Sequence, residues 1–187
     1  MITAETERFI LRPFETQDID FLNELHSDEQ VVRYTLGRTL THDENLAYLQ
    51  RLLDIEEEHG IGQRIVIRKQ DGQPVGRCGL SFFYGTEEEG LTSYHFDPHN
   101  VTEGKEVTRV IELGYSFLQK YWRRGYASEA AAAMRDHGLK IQAFGQLHSI
   151  IRKENIGSLA VAEKIGAIRL QDCLCNGQPG WDYVSRL

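Results

Sequence analysis

The stretch that most restricts this chain lies between Val110 and Lys140, where an apolar strand run gives way to a helix across one glycine-bearing turn. Val110-Ile111-Glu112-Leu113-Gly114-Tyr115-Ser116-Phe117 reads as a strand. Ala127, Ala130, Ala131, Met134, His137 or Gly138, and Ile141 then recur at a period of about 3.6 residues, which predicts a helix from about Gly125 to Lys140. Between them stands Tyr121-Trp122-Arg123-Arg124-Gly125-Tyr126-Ala127-Ser128-Glu129-Ala130. A strand-to-helix turn exposes backbone N–H groups at the helix start, and these groups with the helix dipole suit a phosphate or pyrophosphate. Gly125 permits close backbone approach, Ala127 keeps the path clear, and Arg123 and Arg124 add positive charge. A glycine at a helix start is common without any ligand, so the turn alone does not define a site. It also lacks Gly-x-Gly-x-x-Gly and Gly-Lys-Ser or Gly-Lys-Thr, which removes the main support for a dinucleotide or nucleoside-triphosphate enzyme.

The flanking elements follow from pattern and punctuation. Arg8 to Phe14 reads as a strand stopped by Pro13, followed by a helix over about Gln17 to Ser27 with Ile19, Leu22 and Leu25 or His26 on one face. Thr41-His42-Asp43-Glu44 has the capping-box spacing and opens a helix carrying Leu46, Leu49, Leu53 and Leu52, ending near His59-Gly60. The acidic run Glu56-Glu57-Glu58 reads as the solvated side of that helix. Strands are expected at about Gln63 to Lys69 and Val75 to Phe83, with Asp71-Gly72 as the hairpin turn. From Tyr84 to Thr108 the chain turns polar. Leu147 to Arg152 is a strand, Asn155 can cap a helix from Gly157 to Ile165 that ends at Gly166, and two tail strands flank Asn176-Gly177. With no repeat or linker, this order predicts one α/β (α+β) domain over residues 1–187, a mixed, mostly antiparallel sheet with helices on both faces.

Composition narrows the partners. With 21 Lys plus Arg against 28 Asp plus Glu, the formal charge is −7, which argues against nucleic acid and tilts the partner toward a cationic amine. No apolar run reaches the roughly 18 residues of a membrane span, and the N-terminal residues lack the regions of a secretory leader, so a cytoplasmic protein is expected. Cys78, Cys173 and Cys175 are too few and too unevenly spaced for a disulfide framework; on a strand, Cys173 and Cys175 share a face. Tyr94-His95-Phe96-Asp97-Pro98-His99 superficially resembles a metal-ligand cluster, but Pro98 interrupts its spacing and no metal is expected.

Two segments together carry a resemblance. Trp122, Gly125, Tyr126, Ala127, Glu129 and Ala130 match the pyrophosphate-loop pattern of the GNAT superfamily of acyl-CoA N-acyltransferases, in the form Trp-Gly-x-Gly-Tyr-Ala-x-Glu-Ala of its RimJ/RimL branch. Asn155, Ser158, Glu163, Lys164 and Gly166 match the downstream Asn-x-x-Ser and Glu-Lys-x-Gly pattern. Arg123 stands where that branch often has glycine, and Ala167 where it has phenylalanine. Phe9 to Phe14 and Ile111 to Tyr115 resemble the branch's first and fourth strands, so the likeness covers nearly the whole chain except the segment around residues 85 to 108.

The resemblance implies a GNAT-like sheet whose fourth and fifth strands splay, and acetyl-CoA as donor. Backbone near Leu113 and Tyr115 would pair with the pantetheine arm, while Arg123, Arg124, Gly125, Tyr126, Ala127 and Ser128 would take the pyrophosphate. Asn155 would reach the pantetheine or reacting end as well as cap its helix. It implies transfer to a primary amine by direct attack in a ternary complex, with a protein or peptide N-terminus as acceptor. A polyamine, an antibiotic amine or another small amine fits the donor motif equally, and a non-catalytic acyl-CoA-binding regulatory domain is the reading from a different class. Glu112 is the base candidate, a carboxylate in an apolar strand, with substrate positioning or a structural role as alternatives. The place of the superfamily's acid tyrosine holds Ala162, which leaves Ser158 as the hydrogen-bond donor toward the thiol. The polar 85–108 segment is expected to form a hairpin or lid on the acceptor side. Phe21, Tyr34, Tyr48, Glu24, Asp28 and Glu29 are candidates for the opposite wall, and the tail strand offers an edge for a homodimer.

Overall fold

The computed structural model describes residues 3–101 and 104–187; residues 1–2, at the head of the segment read for a leader, and 102–103, inside the polar 85–108 segment, lie outside the described residues. The chain divides into two units, residues 1–79 with 114–134, and residues 80–113 with 135–187. Among the described residues, six strand pairs with a defined register are antiparallel and two parallel, and the fourth and sixth strands pair as well, giving a mixed α/β fold of sheet and flanking helices.

In the first unit β1 (Ala4–Glu5), β2 (Phe9–Pro13), β3 (Gln63–Arg68) and the start of β4 (Pro74–Glu88) pair in sequence order. Phe9 and Leu11 alternate inward on β2, whereas β3 is buried over its first four residues, Gln63 to Val66. The helices are α1 (Ile19–His26), α2 (Glu29–Val32) and α3 (His42–His59). The short β1 and α2 have too few residues to show a period and were not expected. Thr41 and Glu44 form the expected reciprocal cap, and Gly60 ends α3 in the left-handed region at φ 64°. Phe14, Phe21, Leu22, Leu25, Val31, Leu49, Leu52, Ile65 and Leu118 form the core.

Two features of α3 differ from the sequence expectation. Leu46 is 45% exposed, and Asn45 occupies the buried place at 0%. Its amide is used: Asn45 Oδ1 lies 2.6 Å from His26 Nδ1, and Asn45 Nδ2 donates to Asn23 Oδ1 at 3.1 Å. Glu56, read as solvated, instead pairs with the buried Arg64 at 2.6 Å. A buried guanidinium needs that counter-charge.

The second unit holds the rest of β4, β5 (Leu91–His95), the start of β6 (Val107–Phe117), β7 (Leu147–Arg152), α5 (Ile156–Lys164), β8 (Ile168–Cys175) and β9 (Gln178–Ser185). Its strands follow the order β4-β5-β8-β9-β7-β6. The polar residues after Tyr84 continue β4 to Glu88, and Glu89 and Gly90, both at positive φ, turn the chain into β5. Two successive left-handed residues make the turn whose twist matches a hairpin. Cross-strand pairing, from Tyr84 opposite His95 to Glu88 opposite Leu91, thus overrides the low strand preference of the acidic run.

Tyr94, Val110, Ile150, Cys173 and Cys175 form this unit's core. Beside it Asp182, 0% exposed, accepts from Tyr94 Oη at 3.1 Å and lies 2.9 Å from His148 Nδ1. The helix expected to reach Lys140 is α-helical over α4 (Tyr126–Asp136) and closes in a π-helical turn at His137–Ile141. Gly138 lies so close to Leu147 that an added Cβ would sit 2.9 Å from its Cδ1, and Ile141, expected on the buried face, is 73% exposed past the turn.

Burial, with the charge of Arg77 second, pushes His26 down to about 4 despite the hydrogen bond to Asn45. A histidine with a lowered folded pKa is protonated first in the unfolded chain, so stability falls as pH drops from 6.5 toward 4. The expected loss over that window is about 3 kcal/mol. Urea denaturation at a series of pH values should show it, with a flatter profile in a His26→Gln variant.

Candidate active site

In the first unit, the donor-loop residues hang between the end of β6 and α4. Trp122 Nε1 donates to Phe117 O at 2.7 Å, tying the loop to the strand it leaves. The first intrahelical bond runs from Glu129 N–H to Gly125 O at 3.1 Å. Helix geometry therefore leaves the N–H groups of Tyr126, Ala127 and Ser128 without intrahelical acceptors. Gly125 sits at φ 74°, where a side chain is unfavourable, and Arg123 at φ 60° is a non-glycine residue in the same left-handed region. The glycine often found at that point in the RimJ/RimL pattern has its physical reason here.

Arg8 organises this loop. Its Nη1 donates to Arg124 O at 2.9 Å, its Nε to Glu129 Oε2 at 2.5 Å and its backbone N–H to Glu129 Oε1 at 3.0 Å. Thr6 Oγ1 donates to the same carboxylate at 2.6 Å. Burial alone would raise the Glu129 pKa, but these hydrogen bonds hold it below the usual carboxylate value. In a trans peptide C=O and N–H point oppositely. Drawing the Arg124 carbonyl toward Arg8 therefore turns the Gly125 N–H the other way. The Tyr126 ring stacks on Tyr121 at 5.9 Å, with the Arg8 guanidinium 4.7 Å from its centroid. Arg123 and Arg124 are exposed, and Tyr115 is half-buried on β6. Main-chain donors, a glycine approach and two free-standing arginines fit the diphosphate of a coenzyme A thioester.

The second unit carries the remaining candidates. Glu112, half-buried on β6, is the parallel ladder partner of His148. Leu113 is 1% exposed, and its carbonyl accepts from Ser149 Oγ at 3.1 Å. One backbone group expected to be free for the pantetheine arm is therefore engaged within the protein. Burial along β6 falls at Val110, Leu113, Ser116 and Phe117 and does not alternate, so Glu112 and Tyr115 are equally half-buried. Asn155 caps α5, its Oδ1 accepting from Ser158 N–H at 3.2 Å, which joins these two candidates at one helix start. Ala162 is packed inside at 1% exposure.

Several of the other candidates are spent on structure. Phe21 is in the core, Glu24 pairs with Lys120 at 2.8 Å, and Asp28 caps α2. Asp97 caps a short turn through His99 N–H, and His95 Nε2 lies 3.0 Å from Ser93 Oγ. Among the described residues no His, Cys, Asp or Glu cluster has a metal-binding arrangement. Cys173 and Cys175 are buried on one core, and burial pushes their thiols up to about 12 and about 11. Sequence reasoning missed Thr6 and Arg8, which meet Glu129 across more than a hundred residues and leave no local signal.

Comparison with known proteins places the chain. A family model described as the acetyltransferase (GNAT) domain matches residues 8–168, which run through both units. The N-acetyltransferase YnaD of Bacillus subtilis is 27% identical over 182 residues, covering 95% of this chain and 91% of the relative. YkkB of the same organism is 32% identical over 111 residues, 59% of this chain; the chain spans 53% of that relative's length. A GNAT-family acetyltransferase from Bacillus anthracis superposes with TM-score 0.73 at 25% identity, over 100% of this chain and 98% of that one. RimL, a ribosomal L7/L12 alpha-N-protein acetyltransferase solved with coenzyme A, shares the fold at TM-score 0.75 and 13% identity, covering 100% and 98%.

The chain belongs to the GNAT acetyltransferase family. It is an acetyl-CoA-dependent acetyltransferase that acts on an amine acceptor.

Two substitutions test the loop's construction. Arg123→Gly should stabilise the protein by about 1 kcal/mol by relieving the left-handed conformation. Glu129→Ala should destabilise it by about 1–3 kcal/mol by stranding the Thr6 and Arg8 donors. Chemical denaturation reads both.

Proposed function

We propose that this acetyltransferase belongs to the RimJ/RimL branch and moves the acetyl group to a primary amine by direct attack, with a protein or peptide N-terminus as acceptor class. The observation that carries the reading is the Arg8-anchored turn, whose Gly125, Tyr126, Ala127 and Ser128 N–H groups suit a diphosphate. The branch pattern at Trp122, Gly125, Tyr126, Ala127 and Glu129, and the likeness in shape to RimL, support the acceptor class. Three buried cysteines outside any disulfide suit a reducing cytoplasm.

The donor supplies an acetyl group already activated as a thioester. The loop from Arg123 to Ser128 holds its diphosphate, and the β6 backbone near Tyr115 takes its arm. Glu112 takes the proton that the attacking amine must lose, directly or through water. Asn155 holds the start of α5, so that the Ser158 hydroxyl can donate a hydrogen bond to the departing sulfur. Ser158 is a weak acid, so its contribution is orientation and charge stabilisation rather than full proton transfer.

Free-thiol release with peptide and amine panels, and donor binding measured separately, test these roles. Gly125→Val should raise the acetyl-CoA KM about tenfold or more, because the new side chain is strained at positive φ and obstructs the cradle. Ser158→Ala should lower kcat about tenfold with donor affinity within about twofold. Glu112→Gln should lower kcat/KM for the amine about a hundredfold and remove one limb of its pH profile. Wild-type rates in Ser158→Ala and Glu112→Gln would remove both residues from the chemistry, and unaltered donor binding in Gly125→Val would move the diphosphate elsewhere.

A further inference from the structure

Arg77 on β4 is 6% exposed, and its Nε has no hydrogen-bond partner. Among the described residues it makes no hydrogen bond and no ion pair; its guanidinium lies 5.9 Å from the Tyr48 ring centroid and its charge acts on His26. The other buried arginine of this sheet is treated differently. Arg64 on β3 has Glu56 at 2.6 Å and Thr3 Oγ1 at 2.6 Å. An arginine cannot lose its proton in a protein, so burial without an anion has no internal remedy.

A second orphan stands next to it. His26 is 1% exposed, and its Nε2 also lacks a partner. The tautomer follows from the relay around it: Asn23 Nδ2 donates to His42 Nδ1 at 2.9 Å, Asn45 Nδ2 donates to Asn23 Oδ1 at 3.1 Å, and Asn45 Oδ1 is left to accept from His26 Nδ1–H at 2.6 Å. His26 Nε2 is therefore a bare acceptor. The Tyr48 ring packs edge-on against His26 at 5.0 Å. A fixed cation with a buried, unpartnered Nε and a fixed, unpartnered acceptor, flanking one aromatic ring, match a ligand bearing an oxyanion close to a proton-bearing group.

We propose that Arg77, His26 and Tyr48 form an oxyanion site within the first unit that receives the carboxylate or phosphate of an anionic amine acceptor. Arg77 takes the oxyanion through its fork, and His26 Nε2 accepts from an adjacent ammonium or hydroxyl. The site stands on the strand that borders the end of β6: a Cβ at Gly76 would lie 2.6 Å from Ser116 O. That strand end leads into the donor loop, which makes the acceptor the natural occupant. The assignment rests on the acetyltransferase reading for its substrate class, and on the two orphaned groups for its existence. It replaces the acidic wall for a cationic amine expected from Glu24 and Asp28, whose carboxylates are engaged.

The test uses the full chain, three matched acceptors (an alkylamine, the same amine with a carboxylate, the same amine with a phosphate), and thermal shifts with inorganic phosphate and with a dicarboxylate. Wild type should favour one anionic amine over the neutral one by on the order of a hundredfold in kcat/KM. The favoured arm identifies the oxyanion. Arg77→Met should abolish that preference through KM, leave the neutral amine unchanged, and melt no lower than wild type, since it removes an uncompensated buried charge. Should Arg77→Met fail to fold, Arg77→Lys is read instead, with a raised KM for the anionic amine only. A wild type indifferent to the anion, or an Arg77→Met protein that melts several degrees lower with its preference intact, overturns the proposal, leaving Arg77 a structural residue satisfied by water. Arg77-dependent stabilisation by phosphate or dicarboxylate without thiol release from any amine would keep the site and remove the acceptor reading. Thiol release from neutral and anionic amines alike, unaltered in Arg77→Met, would do the reverse.

Discussion

The contact on which the rest depends is the grip of Arg8 on two points of one loop, the Glu129 carboxylate and the Arg124 carbonyl. Main-chain N–H groups recognise an anion only if the peptide planes carrying them are held, because an unheld turn can rotate its amides away. Here the holding group comes from the bend between β1 and β2, and its own position is fixed by the buried Phe9 and Leu11 that follow it. Glu129 does double duty at the helix start. Its charge suits the positive end of α4, while its two oxygens are filled by Thr6 and Arg8 and so do not compete for the turn's free donors. The stacked Tyr121 and Tyr126 rings, with Arg8 and Arg68 against them, close the other side of the same knot.

How much of this was legible depended on the range of each interaction. Local signals read true: the Thr41–Glu44 box, Gly60, Gly166, the Asn155 cap and the Asp71-Gly72 turn all depend on neighbours within a few residues. Periodicity placed the long elements but blurred where a buried polar group stood in for an apolar one, as Asn45 does for Leu46. A hairpin was expected in the polar segment after Tyr84, but not that the acidic run to Glu88 would be one of its strands, since a ladder with β5 compensates what its composition disfavours. Of the site, the backbone half was visible as a motif because glycine and alanine are required at fixed spacing. The side-chain half was not. Thr6, Arg8, His26 and Arg77 acquire meaning only from partners brought near by the fold, and a buried arginine looks in sequence like any other.

The arginines of the first unit show how the same residue serves opposite ends. Arg12 is matched by Asp18, Arg64 by Glu56 and Arg68 by Asp71, each within 2.7 Å. These pairs fasten strands to turns and helices. Arg77 breaks that rule at one of the most enclosed positions of the sheet. In the second unit the equivalent problem is solved internally: Asp182 is fully enclosed and has both His148 and Tyr94 on its carboxylate. Arg77 Nε and His26 Nε2 differ from these pairs in flanking one ring while both lack a partner, where a ligand can complete them.

Donor and acceptor recognition then obey different evolutionary constraints. If the thioester carrier is gripped largely by backbone, as proposed, that geometry survives almost any side-chain change that keeps Gly125 and the Arg8 anchor. An acceptor held by side chains such as Arg77 and His26 can be exchanged by a few substitutions without disturbing the cradle. On the proposed assignment, the donor chemistry of such a chain follows from its fold, and its choice of acceptor from a few buried polar side chains such as Arg77 and His26.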